Sequence, residues 1–401
     1  MRPATQPQTS LVQPLCGSRF DAAGKQFTPN GTALMLDSAP ISPRQILKTT
    51  LEILQNSASI LKEISSRENT KNAWQELRNK LEAFSCFEFV DSYLQISGIS
   101  SRSFPMIAGQ ARSLGPYLSV WATEGLGHYY AGWWTHNKGL PLRLLSSLEE
   151  RQLSQASLVP LHTGMGLSLA QSFLCGINSY SRSLQDRLGE FAELCRSNSQ
   201  RGYAGAVFEA LGLVTRNLYP HLIPGIDAGL PSDVLRAYFW HGVGRGIYFA
   251  PLNFFPFRSA PWRGMEECLG QAPHESSRRN AVAGFVWALT LVNIRHPEVI
   301  AEFLDHHALR MNDPEALFNG MCSALIIWRD AAPDDIYFTL LERYIPKQPV
   351  TPVWEQYVKR ACEYVRRLHS TVSRERRFED LFRYQALAGL QSHPAGKASS
   401  W

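Results

Sequence analysis

From about residue 42 onward, apolar positions recur at helical spacing, and no stretch shows the two-residue alternation of a strand. Ile46, Leu47, Leu51, Leu54, Ile60 and Leu61 form one stripe, and Trp74, Leu77, Leu81 and Phe84 form another. Leu184, Leu188, Phe191 and Cys195 follow at i, i+4, i+7 and i+11, while Val299, Ile300, Phe303 and Leu304 come just after Pro297, a good first helical residue. Trp354, Tyr357, Val358, Ala361, Cys362, Val365 and Leu368 make a long stripe near the C-terminus. Ser232 before Asp233 and Asp313 before Pro314 carry side chains that can cap free helix amides. The pattern predicts an all-α protein.

Within the helical region a short glycine pattern recurs, usually with a second small residue two places on. Its lead glycines are Gly125, Gly164, Gly205, Gly242, Gly284 and Gly320, spaced 39, 41, 37, 42 and 36 residues apart, with Gly127, Gly166 and Gly244 as second glycines. A period near forty residues marks a repeat protein, here about six helical hairpins forming an open solenoid or a closed α/α toroid. Glycine inside a helix costs about 0.8 to 1.0 kcal/mol relative to alanine, so its recurrence calls for a reason. Close approach of a second backbone supplies one, and the glycines are expected to mark helix crossings. A phosphate cradle is not expected, because no strand precedes them.

Composition narrows the picture. With 40 basic and 35 acidic residues the net charge is +5, too even a balance for a nucleic-acid protein. The seven cysteines show no Cys-x-x-Cys pair, which speaks against a zinc site or a disulfide scaffold and for a reducing, cytoplasmic setting. Ala281 to Val292, the longest apolar stretch, is too short to cross a bilayer. The expected organisation is a loosely packed polar arm over 1–41, a helical lead-in over 42–112, the glycine-marked region over 113–346, basic capping helices over 347–390 and a flexible tail over 391–401. The outer face of the last helices is basic, with Lys359, Arg360, Arg366, Arg367, Arg374, Arg376 and Arg377; it reads as a solvated cap or a weak contact for an anionic membrane. His306 and His307, at the end of an amphipathic helix, are expected at the surface or as partners of the helix C-terminal dipole.

Candidate chemistry lies beside the glycines. The position before the lead glycine and the position three after it are four apart and share a helix face. They hold Glu124 and His128 in the first copy and His241 and Arg245 in the fourth, while His162 stands two places ahead of Gly164. Convergence of Glu124, His128, His162, His241 and Arg245 would give a carboxylate-oriented base with a cation for an anionic group. Their donor types would also suit a metal, yet the spacing has no metal-site signature, and neither metal nor cofactor is expected. Pro333-Asp-Asp-Ile-Tyr-Phe338 resembles the aspartate-rich start of a terpene cyclase metal site, but with no second metal motif it is read as a helix N-terminus.

The succession Glu124-Gly-Leu-Gly, His162-Thr-Gly-Met-Gly-Leu-Ser-Leu-Ala170 and His241-Gly-Val-Gly-Arg-Gly-Ile-Tyr-Phe249 resembles a family of proteins encoded beside enediyne polyketide synthases. Members carry a Glu-Gly motif, a Gly-x-Gly-Trp-Ala motif and a Gly-x-Gly-Arg-aliphatic/Trp-Phe motif in that order. The likeness spans residues 120 to 330. Leu167 stands where a tryptophan is expected, and Gly202-Tyr-Ala-Gly-Ala-Val-Phe208 departs from the family's Gly-Tyr-Gly-Phe-His. The resemblance implies a bacterial accessory role in natural-product or polyene metabolism and transfers no catalytic residue. Three functions are therefore expected to compete: a binding or scaffold module with a protein partner, an enzyme or carrier for an apolar polyene-like or lipid-like molecule, and a peripheral membrane protein.

Overall fold

The computed structural model describes residues 70–96, 103–138, 143–148, 152–177, 183–250, 253, 262–307, 314–333, 335–347 and 349–385. The arm over 1–41, the stripe from Ile46 to Leu61 and the tail over 391–401 lie outside the described residues. The described residues belong to one compact unit. Among the described residues there is no strand, and the all-α reading holds.

The longer helices are α1 (Thr70–Glu88), α2 (Pro116–Lys138), α3 (Gln155–Cys175), α4 (Leu184–Asn198), α5 (Ala204–Leu218), α6 (Asp233–Phe249), α7 (Trp262–Gln271), α8 (Glu275–Val292), α9 (Pro297–His307), α10 (Pro314–Ala331) and α11 (Arg360–Glu375). Ser232 caps α6 by accepting the Leu235 amide at 3.2 Å, and Ser183 caps α4 by accepting that of Asp186. Asp335 accepts the Tyr337 amide at 2.8 Å at the start of the short helix Tyr337–Arg343. The stripes of α4 and α9 bury Leu188, Phe191 and Cys195, and Val299, Ile300, Phe303 and Leu304. His307 departs from expectation: it is buried, its ring 5.0 Å from that of Phe303.

Six helices, α2, α3, α5, α6, α8 and α10, carry the glycines and pack successively against one another. A side chain on Gly164 would overlap the Glu124 carbonyl oxygen, one on Gly284 that of His241, and one on Gly320 that of Ala283. In each case the lead glycine meets the residue just before the previous lead glycine. The second glycines face the other way: Gly127 abuts Leu161, and Gly244 abuts Ala281, each three residues before the next lead glycine. Close backbone crossing therefore explains these glycines.

The third copy obeys the same rule only in a different register. Gly166 abuts Val207, Gly212 abuts the Phe239 carbonyl, and Gly242 abuts that of Glu209. The lead position of α5 is thus Ala210, with Gly212 as the second glycine and Glu209 just ahead. Gly205, expected to lead this copy, faces the Tyr238 ring instead. Regular hairpins are also not uniform: between α2 and α3 the described residues form turns rather than a helix.

The row of motif helices closes on itself. Tyr117 of α2 donates its hydroxyl to the Val292 carbonyl at the end of α8 at 2.9 Å, and its ring lies 6.3 Å from that of Trp328 in α10. Gln155 at the start of α3 reaches Asp330 of α10 at 3.4 Å. Helix α1 buries Leu77 of its predicted stripe but otherwise departs from the predicted polarity. Trp74, Leu81 and Phe84 are about half exposed, while Asn72, Glu76, Asn79 and Lys80 are buried. That polar face is satisfied: Lys80 Nζ donates to the Asn253 carbonyl at 2.8 Å and pairs with Glu76 at 3.1 Å, and Asn79 donates to Asn293 at 3.0 Å.

Candidate functional site

Three of the five candidate side chains, Glu124 of α2 and His241 and Arg245 of α6, meet and are joined by Glu209 of α5. Arg245 lies between two carboxylates: Nη2 donates to Glu124 Oε1, and Nη1 donates to Glu209 Oε2 at 3.3 Å. The other oxygen of Glu209 accepts from His241 Nδ1 at 3.0 Å. All four residues are no more than 4% exposed. Trp287 of α8 forms a wall, 4.9 Å from the Arg245 guanidinium and 6.1 Å, ring to ring, from His241. Phe382 packs beside it, its ring 5.7 Å from that of Trp287 and 6.1 Å from that of His241.

The corrected register explains why these residues share a site. Glu124, Glu209 and His241 each stand immediately before a lead position, while Arg245 and Trp287 each stand three after one. One helix face, repeated across successive crossings, delivers them all. The sequence signal that would have found Glu209 is local: Glu209-Ala-Leu-Gly212 repeats Glu124-Gly-Leu-Gly127 with alanine for glycine.

Electrostatically the cluster is a desolvated network. Burial, opposed by the adjacent Arg245, holds the Glu124 carboxyl above the usual carboxylate range. Burial also works against the Arg245 charge, but the two carboxylates outweigh it and stabilise the cation. Breaking such a buried pair by removing one partner costs about 3 to 5 kcal/mol, because an uncompensated charge remains. Glu209 also sets the imidazole tautomer. With Nδ1 donating to the carboxylate, Nε2 is the ring nitrogen left to accept when the imidazole is neutral. That Nε2 is buried and has no hydrogen-bond partner, and the same holds for Trp287 Nε1 and Ser323 Oγ.

The other two candidates sit elsewhere. His162 stacks on Tyr203 at 4.6 Å, donates from Nδ1 to the Leu158 carbonyl at 2.7 Å and accepts the Gln200 amide on Nε2 at 3.0 Å. Both nitrogens are used, and burial pushes its pKa down to about 4, so it is a neutral structural link. His128 is partly buried and donates from Nε2 to Gln171 at 3.0 Å. Among the described residues no group of three or more His, Cys, Asp or Glu is placed to hold a metal. Cys86, Cys195, Cys268, Cys322 and Cys362 are buried free thiols, whereas Cys175 is disulfide-bonded, against the expectation of cysteines kept reduced. No described helix is long and apolar enough to cross a membrane. Part of the basic C-terminal charge is paired, Lys359 with Glu355 and Arg366 with Glu342, each at 2.5 Å.

No family model matches the chain, and neither a curated protein nor a solved structure does. Function must be argued from the site's own geometry.

Proposed function

We propose that the protein holds a small, largely apolar molecule beside the Glu209–His241 pair, and that His241 Nε2 accepts a proton or hydrogen bond from it. The observation that carries this reading is the unpartnered Nε2 of a fully buried imidazole whose other nitrogen is fixed by a carboxylate. Leaving a buried polar atom unpaired costs about 1 to 3 kcal/mol, a cost that a ligand would remove. Arg245 and Glu124 hold Glu209 in place, and Trp287 and Phe382 supply flat apolar walls. This is the geometry of an oriented general base, and it suits an enzyme or carrier. A scaffold acting only through its outer surface would have no use for such a base.

A conjugated carbon chain, flat and apolar, would match the aromatic chemistry of Trp287 and Phe382, and the resemblance of the glycine motifs to proteins encoded beside enediyne polyketide synthases supports an accessory role on such a molecule. Fluorescence titration with the polyene cis-parinaric acid tests the reading. Saturable binding by the wild type, weakened about tenfold or more in His241→Gln and Glu209→Gln variants that still unfold cooperatively, is the expected result. Absence of saturable binding, or equal affinity in the variants, would overturn it.

A further inference from the structure

The chain folds back over the His241 site after α11. The helix ends at Glu375, and Arg376, a non-glycine residue with φ of 53°, reverses the chain into the turn Phe378–Phe382. Phe378, Leu381 and Phe382 are fully buried. Phe378 stacks on Tyr203 at 5.4 Å, and Phe382 lies 5.7 Å from the Trp287 ring and 6.1 Å from that of His241. Phe382 therefore sits against the two side chains whose buried nitrogens lack partners, His241 Nε2 and Trp287 Nε1.

The segment's charges are largely paired within itself. Asp380 accepts from Arg377 Nε at 2.8 Å, from Arg383 Nη2 at 2.8 Å and from Gln385 Nε2 at 2.7 Å. Hydrogen bonds also tie it to the motif helices and the turn before α5. The Glu379 amide donates to the Gly202 carbonyl at 2.8 Å, the Tyr384 amide to Asn280 Oδ1 at 2.6 Å and the Tyr384 hydroxyl to Glu315 at 2.8 Å, while Asn319 Nδ2 donates to the Gln385 carbonyl at 2.7 Å. Swinging the segment away would keep its Asp380 network intact and release the left-handed backbone at Arg376, a conformation that disfavours side chains.

We infer that residues 377–385 form a stopper hinged at Arg376, and that Phe382 occupies the slot into which the ligand's flat aromatic or conjugated portion enters. The inference rests on the ligand reading above, but its movement is measured without ligand. Two amides report it, those of Glu379 and Tyr384. Native-state hydrogen exchange at these positions should run at least about 100-fold faster than at residues 241–245 of α6, through local opening rather than global unfolding. Diethyl pyrocarbonate labelling of His241, followed by peptide mass spectrometry, should be at least about tenfold faster in Phe382→Ala, with α6 exchange unchanged.

Exchange at Glu379 and Tyr384 that matches α6, or equal His241 labelling in the variant and wild type, would overturn the stopper. Should Phe382→Ala lose cooperative unfolding, wild-type exchange alone decides. Failure to bind cis-parinaric acid with these readouts positive would sink the ligand reading and leave the stopper standing.

Discussion

At the residue scale, the histidines show how identical side chains take different roles from their surroundings. His241 has one nitrogen fixed by a carboxylate and one left bare, whereas His162 has both committed, to the Leu158 carbonyl and the Gln200 amide. The consequence for His162 is a pH dependence of known sign. Its folded pKa lies near 4 against an ordinary 6.5, so between these values the unfolded chain binds a proton that the folded chain refuses. Its contribution is complete above about pH 6.5 and is lost as the pH falls toward 4, to the extent of about 3 kcal/mol. Glu124 and Asp330, both raised by burial, contribute slopes of the opposite sign, so wild type must be compared with a variant. In urea titrations at pH 7 and pH 4, His162→Leu should lose less stability on acidification than wild type by about that amount. Parallel losses in the two proteins would show that His162 is not the neutral link described.

At the element scale, the glycine crossings make the register of α5 testable. A methyl group at Gly212 would run into the Phe239 carbonyl, a backbone atom that can move only with α6. At Gly205 it would meet the end of the Tyr238 side chain. Gly212→Ala is therefore expected to be the more destabilising, by roughly 1 to 3 kcal/mol of overpacking that exceeds the gain of up to 1 kcal/mol from helix propensity. Thermal unfolding of the two variants measures the order, and a less stable Gly205→Ala would restore the register expected from the glycine spacing. The same contacts explain what could be read in advance. The helices of the stripes that the structure describes were legible because burial of one face imposes the 3.6-residue period, and five of the six lead positions were legible because they hold glycine, which admits a neighbouring backbone most closely. Ala210 hid the sixth position, since alanine is common in any helix, and a nearby glycine offered a false register. Glu209 was lost with it. The buried face of α1 was illegible for another reason: its polar side chains are satisfied by distant partners such as Asn253 and Asn293, which no local pattern reveals.

At the scale of the whole molecule, closure of the motif row changes how stability is shared. An open array is held by nearest-neighbour contacts and frays from its ends, whereas a row whose first helices touch its last has no free end. Tyr117 is a fastening point, its hydroxyl within reach of the Val292 carbonyl at 2.9 Å and the Asn79 carbonyl at 3.2 Å, and its ring under the Arg295 guanidinium at 3.5 Å. Tyr117→Phe keeps the ring and removes only the hydroxyl, so the expected loss is about 1 to 2 kcal/mol from buried carbonyls left without that donor. The distribution of the effect distinguishes the two arrangements. In a closed row, α2 and α10, far apart in sequence, should both gain exchange at their slowest amides in step with the global loss, and urea unfolding should remain a single transition. Faster exchange confined to α2, with α10 untouched, would mean that the contact is incidental and that the row behaves as an open array.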